Sequence, residues 1–145
     1  DQDFPALAQS GDDVYLAYVE FVHGDRSKAV EGQLSAAPKD FDFLARPVGG
    51  DQVKLMHYSK SARTWSAPDN VTASGQDLMR AAVAVDGKKR VWVIWSGNHG
   101  GNFDLYAKSL ERGKWSREIR LTTHAGTDVN PVAAPDSQWR GWVAW

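Results

Sequence analysis

The chain has no cysteine, which excludes a disulfide framework, a thiolate metal site and a cysteine nucleophile. Its formal net charge is only −1. With basic residues scattered along the chain there is no field to attract nucleic acid or an anionic bilayer, so nucleic acid is not expected as a partner. No apolar run approaches the ~18–20 residues of a membrane-spanning helix, and no membrane insertion is expected. The four histidines show no H-x-H, H-x-x-x-H or H-E-x-x-H spacing, so the pattern calls for no metal and no other cofactor. Neither Met nor a signal peptide precedes Asp1, and Trp145 falls inside a strand-like run. The expectation is a processed or excised piece of an exported bacterial protein, periplasmic or extracellular.

What the chain does have is a repeat. Arg90 to Trp95, RVWVIW, returns fifty residues later as RGWVAW, Arg140 to Trp145. Gln52 to Ser66 lies over Asn102 to Ser116 at the same offset, equating Leu55 with Leu105, Ser59 with Ser109, Trp65 with Trp115, Ser66 with Ser116, Thr72 with Thr122 and Asp86 with Asp136. A fainter copy, Pro5 to Tyr18, fits Ala81 to Trp95 if one turn residue is dropped, which puts Tyr18 in the slot of Trp95 and Trp145. A period of this size, rich in Trp and in turn residues, is the mark of four-stranded propeller blades.

Within one unit, Ala81 to Val85 predicts a first strand of small residues and Asp86 to Lys89 a turn. Arg90 to Trp95 follows as a second strand, apolar on both faces and so buried on both. Gly97 to Gly101 predicts a loop, Phe103 to Leu110 a third strand, Glu111 to Lys114 a hairpin turn and Trp115 to Thr122 a fourth strand. The small first strand suits the crowded position nearest a propeller axis. The expected class is all-β, about two and a half antiparallel blades in a single partial propeller. Blade 1 would span about 1–73 with an insertion at about 23–49, blade 2 about 74–123, and an incomplete blade 3 about 124–145.

With these residues in place, the chain resembles the TolB-like and sialidase-like (BNR, Asp-box-related) propeller repeats. The resemblance rests on the aromatic closing the second strand, the Asn102-Phe103-Asp104 entry to the third, and the turn that ends in Thr64-Trp65. That turn is like a degraded Asp box: Lys60 stands where the box has Asp and Ala62 where it has Gly. The resemblance implies a propeller fold and leaves function open, since propellers carry hydrolases, lectins and protein-binding scaffolds alike.

Antiparallel meanders place the turns between strands 1–2 and 3–4 at one end and the remaining loops at the other. The second end gathers the candidate ligand-binding residues: Glu20, His23, Arg26, Arg46, Asp77, His99, Asn102, His124 and Asp128. His23 to Gly49 is an insertion of about 27 residues whose Phe41, Phe43 and Leu44 would pin it to the blade, either as a binding lid or as a structural flap. Asp77 and Asp128, with Asp3, either form a ring of carboxylates for a cation or sugar hydroxyls, or accept hydrogen bonds from loop amides. A sialidase-like reaction needs an arginine cluster, a tyrosine nucleophile and its glutamate. Tyr18 and Glu20 share a strand face, with Arg26, Arg46 and Arg80 near the mouth, but the repeat marks Tyr18 as core. There is no G-x-S-x-G elbow. No catalytic residue is therefore assigned.

An incomplete ring would leave several hundred Å² of apolar blade face uncovered. The partners expected are the remaining blades of a parent propeller, or further copies of the chain that close the ring, together with a carbohydrate or peptide ligand. The reading is a non-catalytic binding or assembly scaffold. The alternative is part of a sialidase-like or other propeller hydrolase whose catalytic residues lie mainly elsewhere.

Overall fold

A computed structural model describes residues 1–23, 49–138 and 140–145. Among them are twelve strands and no helix. The first sheet runs β1 (Gln2–Ser10), β2 (Asp13–His23), β3 (Gly49–Ser59) and β4 (Thr64–Trp65), with β5 (Asp69–Asn70) also on β3. The second repeats it with β6 (Leu78–Val85), β7 (Val91–His99), β8 (Asn102–Glu111), β9 (Lys114–Trp115) and β10 (Ile119–Arg120). A third holds β11 (Val132–Pro135) and β12 (Gly141–Ala144). All pairings are antiparallel.

The sheets stack face to face, and their first strands converge: β1 packs on β6, and β6 on β11. Alternation sorts each sheet into two faces. Tyr15, Ala17, Val19, Val53, Leu55 and Val71 turn from the first sheet toward Val83, Val93, Trp95 and Tyr106 of the second, forming the main core. Ala82, Ile94 and Ala107 on the reverse of the second sheet meet Ala133 and Val143 of the third. β7 is thus buried on both faces from Val93 to Gly97, as its continuous apolar run predicts. Lys108 also reaches between sheets, its Nζ donating to the carbonyl of Val71 at 2.7 Å.

Three expectations are corrected. The loop placed at Gly97 to Gly101 is only a Gly100-Gly101 turn, because Gly97 and Asn98 pair with Asp104 and Phe103; both turn glycines have positive φ, as a tight hairpin requires. The fourth strand is interrupted in both sheets. Ser66 and Ser116 accept from the amides of His57 and Ser109 and donate to Ala67 and Arg117, so side chains replace ladder bonds at the break. The gapless offset of fifty also fails along the third strand. Val71 pairs with Val53 as Leu121 does with Leu105, so strand β3 matches β8 at fifty-two, the turn after β3 being two residues longer. Under this register Tyr18 opposes Lys54 as Trp95 opposes Tyr106, so Tyr18 does occupy the aromatic slot, and it is buried.

Candidate ligand-binding site

Where β1, β6 and β11 meet, a groove of about 560 Å³ opens, lined at its mouth by Asp3, Phe4, Pro5, Arg80 and Pro131. The backbone turns left-handed at the same position of each repeat, within β1 and β6 and just before β11. Phe4 (φ 53°), Arg80 (φ 31°) and Asn130 (φ 59°) are all left-handed and immediately precede Pro5, Ala81 and Pro131. The pairing register slips there, between Asp3 and Ala6 and between Met79 and Ala81. These are β-bulges, which re-aim side chains. A residue before proline is pushed toward extended backbone, so left-handed Phe4 and Asn130 run against local preference, at a cost of about 1–3 kcal/mol each. The bend sets the Arg80 guanidinium 5.5 Å from the centre of the Phe4 ring, while Asp3 accepts the Phe4 amide at 2.8 Å.

Seven of the nine expected site residues are described, and the strand register puts all seven at this end of the sheets. Glu20 lies opposite Gln2, from which it accepts a hydrogen bond, and is paired with Lys54 at 3.1 Å. The Gln2 bond, then Lys54, hold its carboxyl below the usual range. His23 lies 3.2 Å from Asp1. Asp77 accepts from Asn98, His99 packs on the ring of Tyr106, and Asn102 donates to the carbonyl of His124, whose Nδ1 accepts from Gly126. Asp128 is buried; one oxygen accepts from Trp145 and the other has no partner among the described residues. Arg26, Arg46 and the cluster Phe41, Phe43 and Leu44 lie outside the described residues.

The structure gathers these residues into small local pairs rather than one constellation, and none lines the groove mouth. No group of three or more His, Cys, Asp or Glu side chains is placed to hold a metal among the described residues. Asp51 has its carboxyl pushed up by burial, partly offset by the amide of Leu78, with Asp77 adding to the rise. It joins the first two sheets rather than facing the groove. Sequence reasoning missed Phe4 and Asn130. They share a column with Arg80 in the repeat, but their backbone geometry leaves no mark in composition.

The sequence matches no family model and no curated protein. Among solved structures, an alpha-L-arabinanase from Penicillium chrysogenum, complexed with arabinobiose, superposes on 97% of the chain with a TM-score of 0.54 at 11% identity. That enzyme is a β-propeller. The three sheets are propeller blades. The chain spans 38% of the arabinanase's length, and the likeness carries the fold alone. In this frame β1, β6 and β11 are the innermost strands, and the groove between them faces the propeller axis.

Proposed function

We propose that the chain is a non-catalytic recognition segment of a propeller, and that the mouth of its axial groove binds carbohydrate. The observation that carries the reading is the left-handed residue at one position of three successive repeats, within β1 and β6 and just before β11. Strain of this kind clusters at ligand sites. Here it presents an aromatic ring, a guanidinium and a carboxylate together, the set that stacks on a sugar face and fixes its hydroxyls. The arabinobiose held by the arabinanase supports a sugar over a peptide. The Thr64-Trp65 turn supports kinship with the TolB-like and sialidase-like repeats, and an exported parent whose further blades complete the ring.

A second reading, part of a propeller glycosidase, draws on the same neighbour. It needs two carboxyl groups flanking the bond, about 5–5.5 Å or 6.5–9.5 Å apart, whereas Asp3 is the one carboxylate lining the groove among the described residues.

Calorimetric titration with arabinobiose and longer arabino-oligosaccharides tests the proposal. Saturable binding is expected, weakened at least tenfold in Phe4→Ala and in Arg80→Ala while near-ultraviolet circular dichroism is unchanged. Binding indifferent to both substitutions would overturn it. Hydrolysis of an aryl arabinoside that is lost in Asp3→Asn would favour the glycosidase reading instead.

A further inference from the structure

The strand β6 changes phase at Arg80. Ala81, Val83 and Val85 face the main core, and regular alternation would bring Met79 there next. Leu78 is in the core instead, 5% exposed, with Met79 and Arg80 both exposed. The slip between Met79 and Ala81 makes that exchange, and Arg80 is the extra residue it leaves, at φ 31°. The phase is fixed from the neighbouring blade. Asp51, near the start of β3, accepts the amide of Leu78 on its carboxylate at 3.0 Å and exchanges backbone bonds with Gln76 at 2.7 and 3.2 Å. These three bonds pin residues 76–78 immediately before the slip. Asp77, within that segment, is tied to Asn98 of β7 through both its carbonyl and its carboxylate. The third blade lacks the carboxylate. By register Phe103 stands where Asp51 does, and its carbonyl accepts the amide of Asp128 as that of Asp51 accepts the amide of Gln76. There β11 begins at Val132, two residues after left-handed Asn130, whereas β6 begins at Leu78, two residues before Arg80.

We infer that Asp51 is a positioning residue for the axial site: from the first blade it holds Leu78 in the phase that turns Arg80 out of β6 and over Phe4. Its consequence for binding rests on the carbohydrate reading proposed above, but the placement of Arg80 exists without ligand. When the acceptor is removed, the start of β6 is free to slip by one residue, which returns Met79 to the core and takes up the extra residue elsewhere. Arg80 then loses the left-handed backbone that sets its guanidinium 5.5 Å from the centre of the Phe4 ring. The role needs an acceptor at that position rather than a charge. An amide oxygen supplies one, and it replaces a carboxylate whose ionised form burial first and Asp77 second make costly in the fold.

The test compares Asp51→Asn with Asp51→Ala in the 1–145 chain. The first readout needs no sugar: the ring current of Phe4 shifts the side-chain proton resonances of Arg80, and Phe4→Leu identifies that shift by abolishing it. Asp51→Asn is expected to keep the shift, the wild-type affinity for arabinobiose and a melting temperature at pH 7 no lower than that of the wild type. Asp51→Ala is expected to lose the shift and to weaken arabinobiose binding about tenfold, with near-ultraviolet circular dichroism unchanged. Should Asp51→Ala fail to fold, Asp51→Ser keeps a polar side chain that is too short to reach the Leu78 amide, and the same losses are expected. An alanine or serine variant that keeps the Arg80 shift would overturn the inference, as would an asparagine variant that loses it. A wild-type chain that shows the ring-current shift but binds no sugar would sink the carbohydrate reading alone, and the comparison of shifts still decides the role of Asp51.

Discussion

Asp86 sits at the turn between β6 and β7 and accepts four hydrogen bonds: from the amides of Lys88 and Arg90, from Arg90 Nε at 2.7 Å and from Trp92 Nε1 at 2.9 Å. Asp136 repeats the set with Gln138, Arg140 and Trp142. In both, the arginine lies over the tryptophan ring, at 5.3 and 5.9 Å. Burial alone would raise the Asp86 carboxyl, but the bonds from Trp92, Arg90 and Lys88 outweigh it and hold it below the usual range. Asp136 is held low by Trp142 first, then by Arg140. Carboxylates depressed in the folded state contribute stability above the ordinary carboxylate range, at about pH 4, and lose it as pH falls through their folded values. Asp51, raised by burial, has the opposite sign and gains on protonation. The melting temperature should therefore fall between about pH 5 and pH 3, and more gently in Asp86→Asn. A melt indifferent to that change would contradict the role given to Asp86. Gly50 makes a sharper demand: a Cβ there would lie 2.4 Å from Gly75 Cα, where Asp51 and Gln76 exchange backbone bonds. Gly50→Ala should destabilise by about 1–3 kcal/mol, read by thermal or denaturant unfolding.

At the scale of strands, hydroxyl side chains replace part of the outer ladder. Thr72 Oγ1 accepts from the amide of Val53 at 3.0 Å, and Thr122 Oγ1 from that of Leu105 at 2.9 Å, with Ser66 and Ser116 doing the same one turn away. Thr122→Val would leave the buried amide of Leu105 unpaired, at a cost of about 1–3 kcal/mol, and should speed exchange of that amide more than of its neighbours. These hydroxyls were legible as repeated residues, as were the sheet order, the turn at Asp86 and the aromatic slot of Tyr18, because each recurs in the repeat. The register of β3 on β8 was not legible. A slip of two residues keeps every side chain on its face, so the coincidence of Leu55 with Leu105 and Ser59 with Ser109 looked like a match, although His57 is the structural partner of Ser109. His57 instead stacks on Tyr15 and bonds Asp13 at 2.7 Å. The candidate site was legible only as an end of the sheets. The pattern located Asp77, His99 and His124 there, but the positive φ of Phe4 and Asn130 depends on how the inner strands bend around the axis.

At the scale of the molecule, the second blade stacks through both faces and the first and third through one each, leaving two outer faces that differ. Leu7 on the first blade is 66% exposed, while Val132 and Trp142 on the third are 57% and 61% exposed. Large exposed apolar patches suit an interaction surface, and we propose further blades of a parent ring as the cover. The functional account stands on the axial groove, where the left-handed residues Phe4, Arg80 and Asn130 fall at one position of the repeat. Its most direct test is titration of the isotopically labelled chain with arabinobiose, followed by amide chemical shifts. The account predicts saturable shifts at Phe4, Arg80 and the inner-strand residues Ala81 and Val132, with none at Lys60 to Arg63 or Glu111 to Lys114 on the opposite end. Shifts confined to that opposite end, or none at millimolar sugar, would contradict it.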